Sequence, residues 1–183
     1  MLRKILVYGV IAGLVAGLPL SAFVIFGGDN APDHGLLVGY TIMLVALSTI
    51  FVAIKRHRDE ILGGVIRFWP AFGLGLGISF VAGILYVIAW EASCAIAHVD
   101  FASGYAASMI AQKRAAGASA AELARVTAEM ARFKVQYANP LFRLPMTFIE
   151  IFPVGVLVSL ISAGLLRSPR FLPARTRGAA VAQ

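Results

Sequence analysis

Four apolar segments, each of about twenty residues, constrain this chain more than any other feature. A helix that crosses the membrane needs about 20 residues, because the hydrocarbon core is about 30 Å thick and each residue adds about 1.5 Å. The chain is 60% hydrophobic and 14% charged over 183 residues, and a soluble domain of this size could not cover so much apolar surface. The sequence therefore predicts an all-α integral membrane protein, a four-helix bundle whose spans lie at about 5–26, 36–54, 71–90 and 144–166.

The first apolar run also has a feature of a secretory signal peptide, since Arg3 and Lys4 precede it. Its apolar stretch is longer than a usual signal core, and Leu20-Ser21-Ala22 makes a poor cleavage site. We therefore interpret this run as the first span of a single membrane domain, residues 1–166. Residues 167–183 are predicted to be a basic, disordered cytoplasmic tail.

The distribution of Lys and Arg predicts the orientation of the spans. The N-terminus, the 55–67 loop and the tail are rich in basic residues, whereas the loop GGDNAPDHG between the first two spans has none. The positive-inside rule then places both termini and the 55–67 loop in the cytoplasm, and the segment at about 91–143 outside.

The net charge of +7 is concentrated beside the spans, which is typical of contact with membrane lipid. This distribution does not indicate nucleic-acid binding, so we expect no nucleic-acid partner.

The outer segment is predicted to form a helical hairpin. Asp100 or Ser103 starts one helix, Gly117 interrupts it, and Ser119 with Glu122 forms a capping box for the next. The second helix carries an apolar stripe at helical spacing, formed by Leu123, Val126, Met130, Phe133 and Tyr137. The stripe has two interpretations: it packs on the other helices, or it docks a partner, either a second copy of the chain or another membrane protein.

Small residues recur where spans are expected to pack closely. Gly9, Gly13 and Gly17 repeat every fourth residue in the first span, and Gly155 and Ser159 do so in the fourth. Such spacing lets the backbones of neighbouring membrane helices approach each other.

Glu150 is an unexpected carboxylate inside the fourth span. It lies about 9 Å along the helix from Leu144, at about 1.5 Å per residue. The polar groups expected near it are Thr147 and Arg143 on the same helix, and Tyr40 and Tyr86 on other spans. Pro153 leaves the carbonyl of Ile149 without a donor and is expected to kink the helix there. Glu150 has two interpretations. Its side chain forms a hydrogen bond that holds two helices together, or it binds a proton or a ligand.

The chain carries no recognisable catalytic motif. The patterns H-E-x-x-H, C-x-x-C and G-x-S-x-G are absent. The three histidines fall in separate flanking segments, with His57 predicted on the opposite side of the membrane from the other two, and Cys94 is the lone cysteine. We therefore expect no enzyme activity, no cofactor and no metal site.

Several long segments of the sequence resemble one known family. These segments are GYTIMLVALSTIFVAIKRHRDEILGG, YVIAW, NPLFRLPMTF and IFPVGVLVSLISA. They are similar to the bacterial membrane family called domain of unknown function 4199. The resemblance implies a four-span inner-membrane protein with an extended outer segment, and it implies no activity.

Two functions of different classes are consistent with these features. The first is a non-catalytic subunit or scaffold that interacts through its outer hairpin. The second is a small oligomeric transporter or channel that uses Glu150 to bind a proton or a solute. Four spans enclose little volume and show no internal repeat, which favours the first.

Overall fold

The computed structural model describes residues 1–26 and 35–173, and this part of the chain is helical with no strand. The loop between the first two spans, with Asp29, Asp33 and His34, lies outside the described residues, as do residues 174–183. The described helices are α1 (Leu2–Phe26), α2 (Gly35–Leu47), α3 (Thr49–Ile61), α4 (Phe68–Ala97), α5 (Phe101–Ala115), α6 (Ala120–Tyr137) and α7 (Pro140–Leu166).

Four helices are long and apolar enough to cross a membrane, which confirms the predicted four-span, all-α bundle. They cover Leu2–Phe26, Leu37–Ile61, Phe68–Ala97 and Pro140–Leu166, where α2 and α3 together make the second span. Each helix extends past its apolar run because helical hydrogen bonding does not stop where the lipid ends. The 30 residues of α4 therefore give a length of about 45 Å at about 1.5 Å per residue, well beyond the hydrocarbon core.

The hairpin formed by α5 and α6 begins and ends at capping residues. The Asp100 carboxylate accepts a hydrogen bond from the Ser103 amide at 3.0 Å, and the Ser119 hydroxyl accepts one from the Glu122 amide at 3.2 Å. Gly117 turns the chain between the two helices with φ +77°. Asn139 caps α7, in which Pro140 takes the first helical position. These local signals fix the hairpin's boundaries within a few residues of those predicted.

Helix α4 is the centre of the bundle, with α1 on one side. Gly9, Gly13 and Gly17 of α1 are buried against it. A Cβ atom added to Gly13 would lie 2.6 Å from the Cβ of Leu85, and one added to Gly9 would lie 2.6 Å from the Cβ of Val81. The two backbones are therefore as close as they can be.

Helix α7 packs on another face of α4 through a reciprocal pair of small residues. Gly75 lies against Ser159, and Ser79 lies against Gly155, so that each glycine of one helix receives a serine of the other. The Ser79 hydroxyl donates to the Gly75 carbonyl at 2.9 Å, and that of Ser159 donates to the Gly155 carbonyl at 2.7 Å. The polar atoms of this contact are thus satisfied inside the membrane.

At the end of the bundle where α1 begins and α7 ends, Arg58 is fully buried. Its guanidinium donates to the carbonyl of Phe171 at 2.9 Å and to that of Leu172, and its Nε donates to Asp59 at 2.7 Å. The guanidinium also donates to the carbonyl of Leu166, the last residue of α7, at 3.4 Å. This contact is favourable because a helix leaves its last carbonyls unpaired and its C-terminal end attracts a cation. The ring of Phe171 also contacts that of Phe51 edge to face, at 6.4 Å.

Residues 167–173 form turns and bends after α7, and the Arg58 side chain that holds them is fully buried. The remainder of the predicted disordered tail, residues 174–183, lies outside the described residues.

We expect Gly13→Ala to lower the free energy of unfolding by about 1–3 kcal/mol, because the new methyl group has no room against Leu85. Gly73→Ala is the matched control, since nothing lies within 4 Å of its Cβ position. That change should leave stability unchanged or raise it, by at most about 1 kcal/mol from helix propensity. Thermal unfolding of the detergent-solubilised protein measures both. Equal melting temperatures would contradict the close α1–α4 contact.

We expect Arg58→Gln to destabilise the fold by about 3–5 kcal/mol, because a buried charged network loses its donor. Arg56→Gln is the control, since this exposed side chain makes one hydrogen bond, to the Tyr8 hydroxyl at 3.2 Å. Its cost should stay below about 1 kcal/mol. Hydrogen exchange should also speed up at residues 167–173 in Arg58→Gln alone. Unchanged exchange there would show that Arg58 does not hold this segment.

Candidate functional site

Two of the four polar side chains predicted around Glu150, those of Tyr86 and Tyr40, meet it inside the membrane region. The Tyr86 hydroxyl faces the Glu150 carboxyl group and interacts with it, and Tyr40 lies close enough to interact with Tyr86. Tyr86 is buried, whereas Glu150 and Tyr40 are exposed on the surface of the bundle. The structure thus brings together one residue from each of α2, α4 and α7.

The other two predicted members, Thr147 and Arg143, point elsewhere. The Thr147 hydroxyl donates to the carbonyl of Arg143 in its own helix, at 3.1 Å. The Arg143 guanidinium does not reach toward Glu150, because it is paired with Glu91 of α4. Helix α7 continues through Pro153 without ending there.

A carboxyl group on the bundle surface at this depth is unfavourable against lipid. Translocon scales assign a cost of about 2.5–3.5 kcal/mol to an ionised Asp at the centre of a span, and less nearer the interface. Tyr86 supplies one hydrogen-bonding partner, from a buried position behind the carboxyl group. The outward side of Glu150 is open in a single copy of the chain.

A second polar cluster lies where α4 and α7 leave the membrane beside the hairpin. Arg143 and Glu91 form a bidentate salt bridge. The Arg143 Nε donates to one Glu91 carboxylate oxygen at 2.7 Å, and the Arg143 Nη2 donates to the other at 2.6 Å. Both side chains are about a quarter to a third exposed, at 27% and 29%. The two parallel hydrogen bonds attract α4 and α7 to each other, and they also fix the orientation of one helix relative to the other.

Aromatic rings join the hairpin to this end of the bundle. The Trp90 indole donates to the Tyr137 hydroxyl at 3.0 Å, and its ring meets that of Phe101 at 5.0 Å. Phe101 lies 5.4 Å from the ring of Tyr137, and the Arg143 guanidinium lies 5.9 Å from the same ring. Burial raises the pKa of Tyr137, so its phenol stays neutral at physiological pH. The three rings connect α4, α5 and α6, and the Arg143 guanidinium beside them adds α7.

The apolar stripe of α6 is the inner face of the hairpin. Phe133 contacts Tyr105 of α5 at 5.5 Å, Tyr137 contacts Phe101, and Val126 is buried at 6% exposure. Leu123 and Met130 are half-buried. Val126, Phe133 and Tyr137 of the stripe thus pack within the protein, as the first of its two interpretations predicts.

A cavity of about 410 Å³ opens between the hairpin and the ends of α4 and α7. Its walls include Trp90, Phe101 and Tyr137, together with the charged residues Glu91, Asp100, Lys134 and Arg143. Hydrogen bonds from the side chain and the backbone of Ser103 hold the pKa of Asp100 below its usual range, so this carboxylate is ionised at neutral pH. The capping contribution of Asp100 is present above its ordinary pKa and is lost as the pH falls through the lowered folded value.

The Glu91–Arg143 pair and the cavity were missed at the sequence level. A signal for the pair was present, because Glu91 follows the predicted end of span three and Arg143 precedes the predicted start of span four. Consecutive antiparallel spans bring such ends to the same interface. Among the described residues, no group of three or more His, Cys, Asp or Glu side chains could hold a metal ion.

The fold and these clusters define a multi-pass, all-helical membrane protein with a helical hairpin at one end. A family model described as a protein of unknown function, DUF4199, matches residues 7–168, so the chain belongs to this family. Searches of curated proteins and of solved structures find no match.

We expect Glu91→Gln to lower the free energy of unfolding by about 1–2 kcal/mol, because it weakens two charge-assisted hydrogen bonds to Arg143. Glu129→Gln is the control, since Glu129 is exposed on α6 and should stay within about 0.5 kcal/mol of the parent. Denaturant unfolding in detergent micelles distinguishes them. The same small change in both variants would mean that the Glu91–Arg143 pair does not hold α4 to α7.

Proposed function

We propose that this chain is a non-catalytic subunit or scaffold of a bacterial inner membrane, with both termini in the cytoplasm and the hairpin outside. The observation that supports this proposal is the attachment of the hairpin to the ends of α4 and α7. The Trp90–Tyr137 hydrogen bond, the rings around it and the Glu91–Arg143 pair hold the hairpin at a set position on the spans. A surface that is held in place loses little conformational entropy when it binds a partner.

The partner surface is the polar face of α6, since the apolar stripe is used inside the hairpin. Arg125, Glu129 and Arg132 are exposed along this face and carry both signs of charge. Within the described residues none of the three forms an ion pair; the Glu122 carboxylate of the first turn pairs instead with Lys113 across the hairpin, at 3.4 Å. Exposed charges of mixed sign favour a protein partner with complementary charges, which sets specificity more than affinity.

Native mass spectrometry of the protein, extracted gently from its own membrane at its natural level, tests this proposal. We expect a stoichiometric partner, either a second protein or a second copy. Replacing Arg125, Glu129 and Arg132 together by alanine should release it. The control replaces Ser108 and Gln112 of α5 by alanine and should retain it. A single chain without a protein partner, from mild extraction at native abundance, would contradict the proposal.

A second candidate function is a small oligomeric transporter or channel, and the position of Glu150 favours it. A carboxyl group exposed on the surface of the spans is best accommodated where another copy covers it, and Tyr86 supplies a partner from behind. In this proposal Glu150 binds a proton or a solute at the interface between copies.

Proton flux is the simplest assay of this second candidate. Liposomes that contain the protein and a pH-sensitive dye should dissipate an imposed pH gradient, and Glu150→Gln should slow the dissipation by about tenfold or more. Glu129→Gln, a carboxyl group lost outside the spans, is the control and should conduct like the parent. A gradient that decays no faster with the parent protein than in empty liposomes would refute proton transport by Glu150.

A further inference from the structure

The cavity at the hairpin end has the features of a small-molecule site. Its volume of about 410 Å³ lies within the range of about 300–1,000 Å³ that is typical of ligand pockets. It is placed at the bilayer interface, because α4 and α7 leave their apolar runs at Trp90 and Leu144. Tryptophan and tyrosine rings at this level face both the lipid headgroups and water.

The cavity is lined by charged side chains of both signs, and only some of them are paired with each other. Glu91 and Arg143 pair with each other. Within the described residues, the ammonium group of Lys134 has no hydrogen-bonded partner, and it acts on Asp100 only through space. The Asp100 carboxylate accepts two hydrogen bonds from Ser103, which leaves acceptor sites open on its two oxygens.

The aromatic walls complement this pattern. The rings of Trp90, Phe101 and Tyr137 stand together beside the carboxylate of Asp100. Aromatic rings next to a carboxylate are a favourable environment for an ammonium ion, by cation–π attraction as well as by charge. Lys134 and Arg143, which also line the cavity, suit a phosphate, because both side chains bind phosphate through charge-assisted hydrogen bonds.

We propose that this cavity binds a zwitterion that carries an ammonium group and a phosphate a few atoms apart, the chemistry of a phosphoethanolamine group. The ammonium lies against the aromatic rings and Asp100, and the phosphate lies between Lys134 and the outer edge of Arg143. The site is separate from the polar face of α6, so it does not depend on the proposed protein partner.

The same group occurs in two sources, the headgroup of phosphatidylethanolamine and the soluble glycerophosphoethanolamine. The cavity walls from the ends of α4 and α7 lie next to the lipid headgroups, and its walls from the hairpin lie beyond the apolar runs, beside water. The two sources are distinguished by presenting each one separately, the lipid in nanodiscs and the soluble compound in detergent solution.

Tryptophan fluorescence gives a direct reporter of binding, because the chain has two tryptophans and only Trp90 lines the cavity. The full-length Trp69→Phe protein carries Trp90 alone. We expect a saturable change in its emission as phosphatidylethanolamine replaces phosphatidylglycerol in the nanodisc, or as glycerophosphoethanolamine is added. A response to the lipid alone assigns the site to headgroups, and a response to the soluble compound assigns it to free ligand as well.

Two variants test the assigned roles. Lys134→Gln should weaken binding by about tenfold, because it removes a charged partner of the phosphate. Asp100→Asn should weaken it similarly, and it keeps a good helix cap. Arg114→Gln, which removes a positive charge from an exposed residue of α5 outside the cavity, should bind like the parent. The proposal is overturned by no saturable response to either compound, by equal responses to the two lipids, or by equal loss in Lys134→Gln and Arg114→Gln.

Discussion

The close approach of α4 to α1 and α7 is the constraint on which the rest of the structure depends. Lipid tails are as apolar as leucine, so burial of apolar surface does not hold membrane helices together as it does in water. Dispersion contacts between well-matched surfaces have to do so, and they are strongest where backbones approach closely. Glycine and serine at the crossings, as in Gly13 against Leu85 and Gly75 against Ser159, allow this approach.

Polar interactions then define the two ends of the bundle. At the end where α1 begins and α7 ends, Arg58 binds the carbonyls of Leu166 and Phe171 and so ties the second span to the fourth. At the hairpin end, the Glu91–Arg143 pair ties α4 to α7, and Trp90 connects α4 to the hairpin. The middle of the bundle is therefore held by packing and both ends by hydrogen-bonded charges. The Glu91–Arg143 pair and Trp90 fix the position of the hairpin relative to α4 and α7, and they therefore also fix the shape of the cavity between them.

Local features of the fold were predictable from the sequence, and contacts between distant segments were not. The four spans follow from apolar length, and the hairpin follows from Asp100, Gly117, Ser119 and Asn139, whose effects extend over only a few residues. Arg58 and the carbonyl of Phe171 are 113 residues apart, and Arg143 and Glu91 are 52 apart. Such pairs depend on which helices are neighbours, and hydropathy carries no information about helix order. For the same reason Arg143 was expected near Glu150, on its own helix.

The arrangement of the chain across the membrane is tested most directly by cysteine accessibility in intact cells. Cys94→Ser gives a protein without cysteine, into which a single cysteine is placed either at Ala116, in the hairpin turn, or at Ser168, after α7. In the proposed orientation in a bacterial inner membrane, and with the outer envelope opened, a thiol reagent that cannot cross the inner membrane should label the cysteine at 116 at once. The cysteine at 168 should react only after that membrane is permeabilised. Labelling of both positions from the same side would contradict a hairpin that lies across the bilayer from the chain termini.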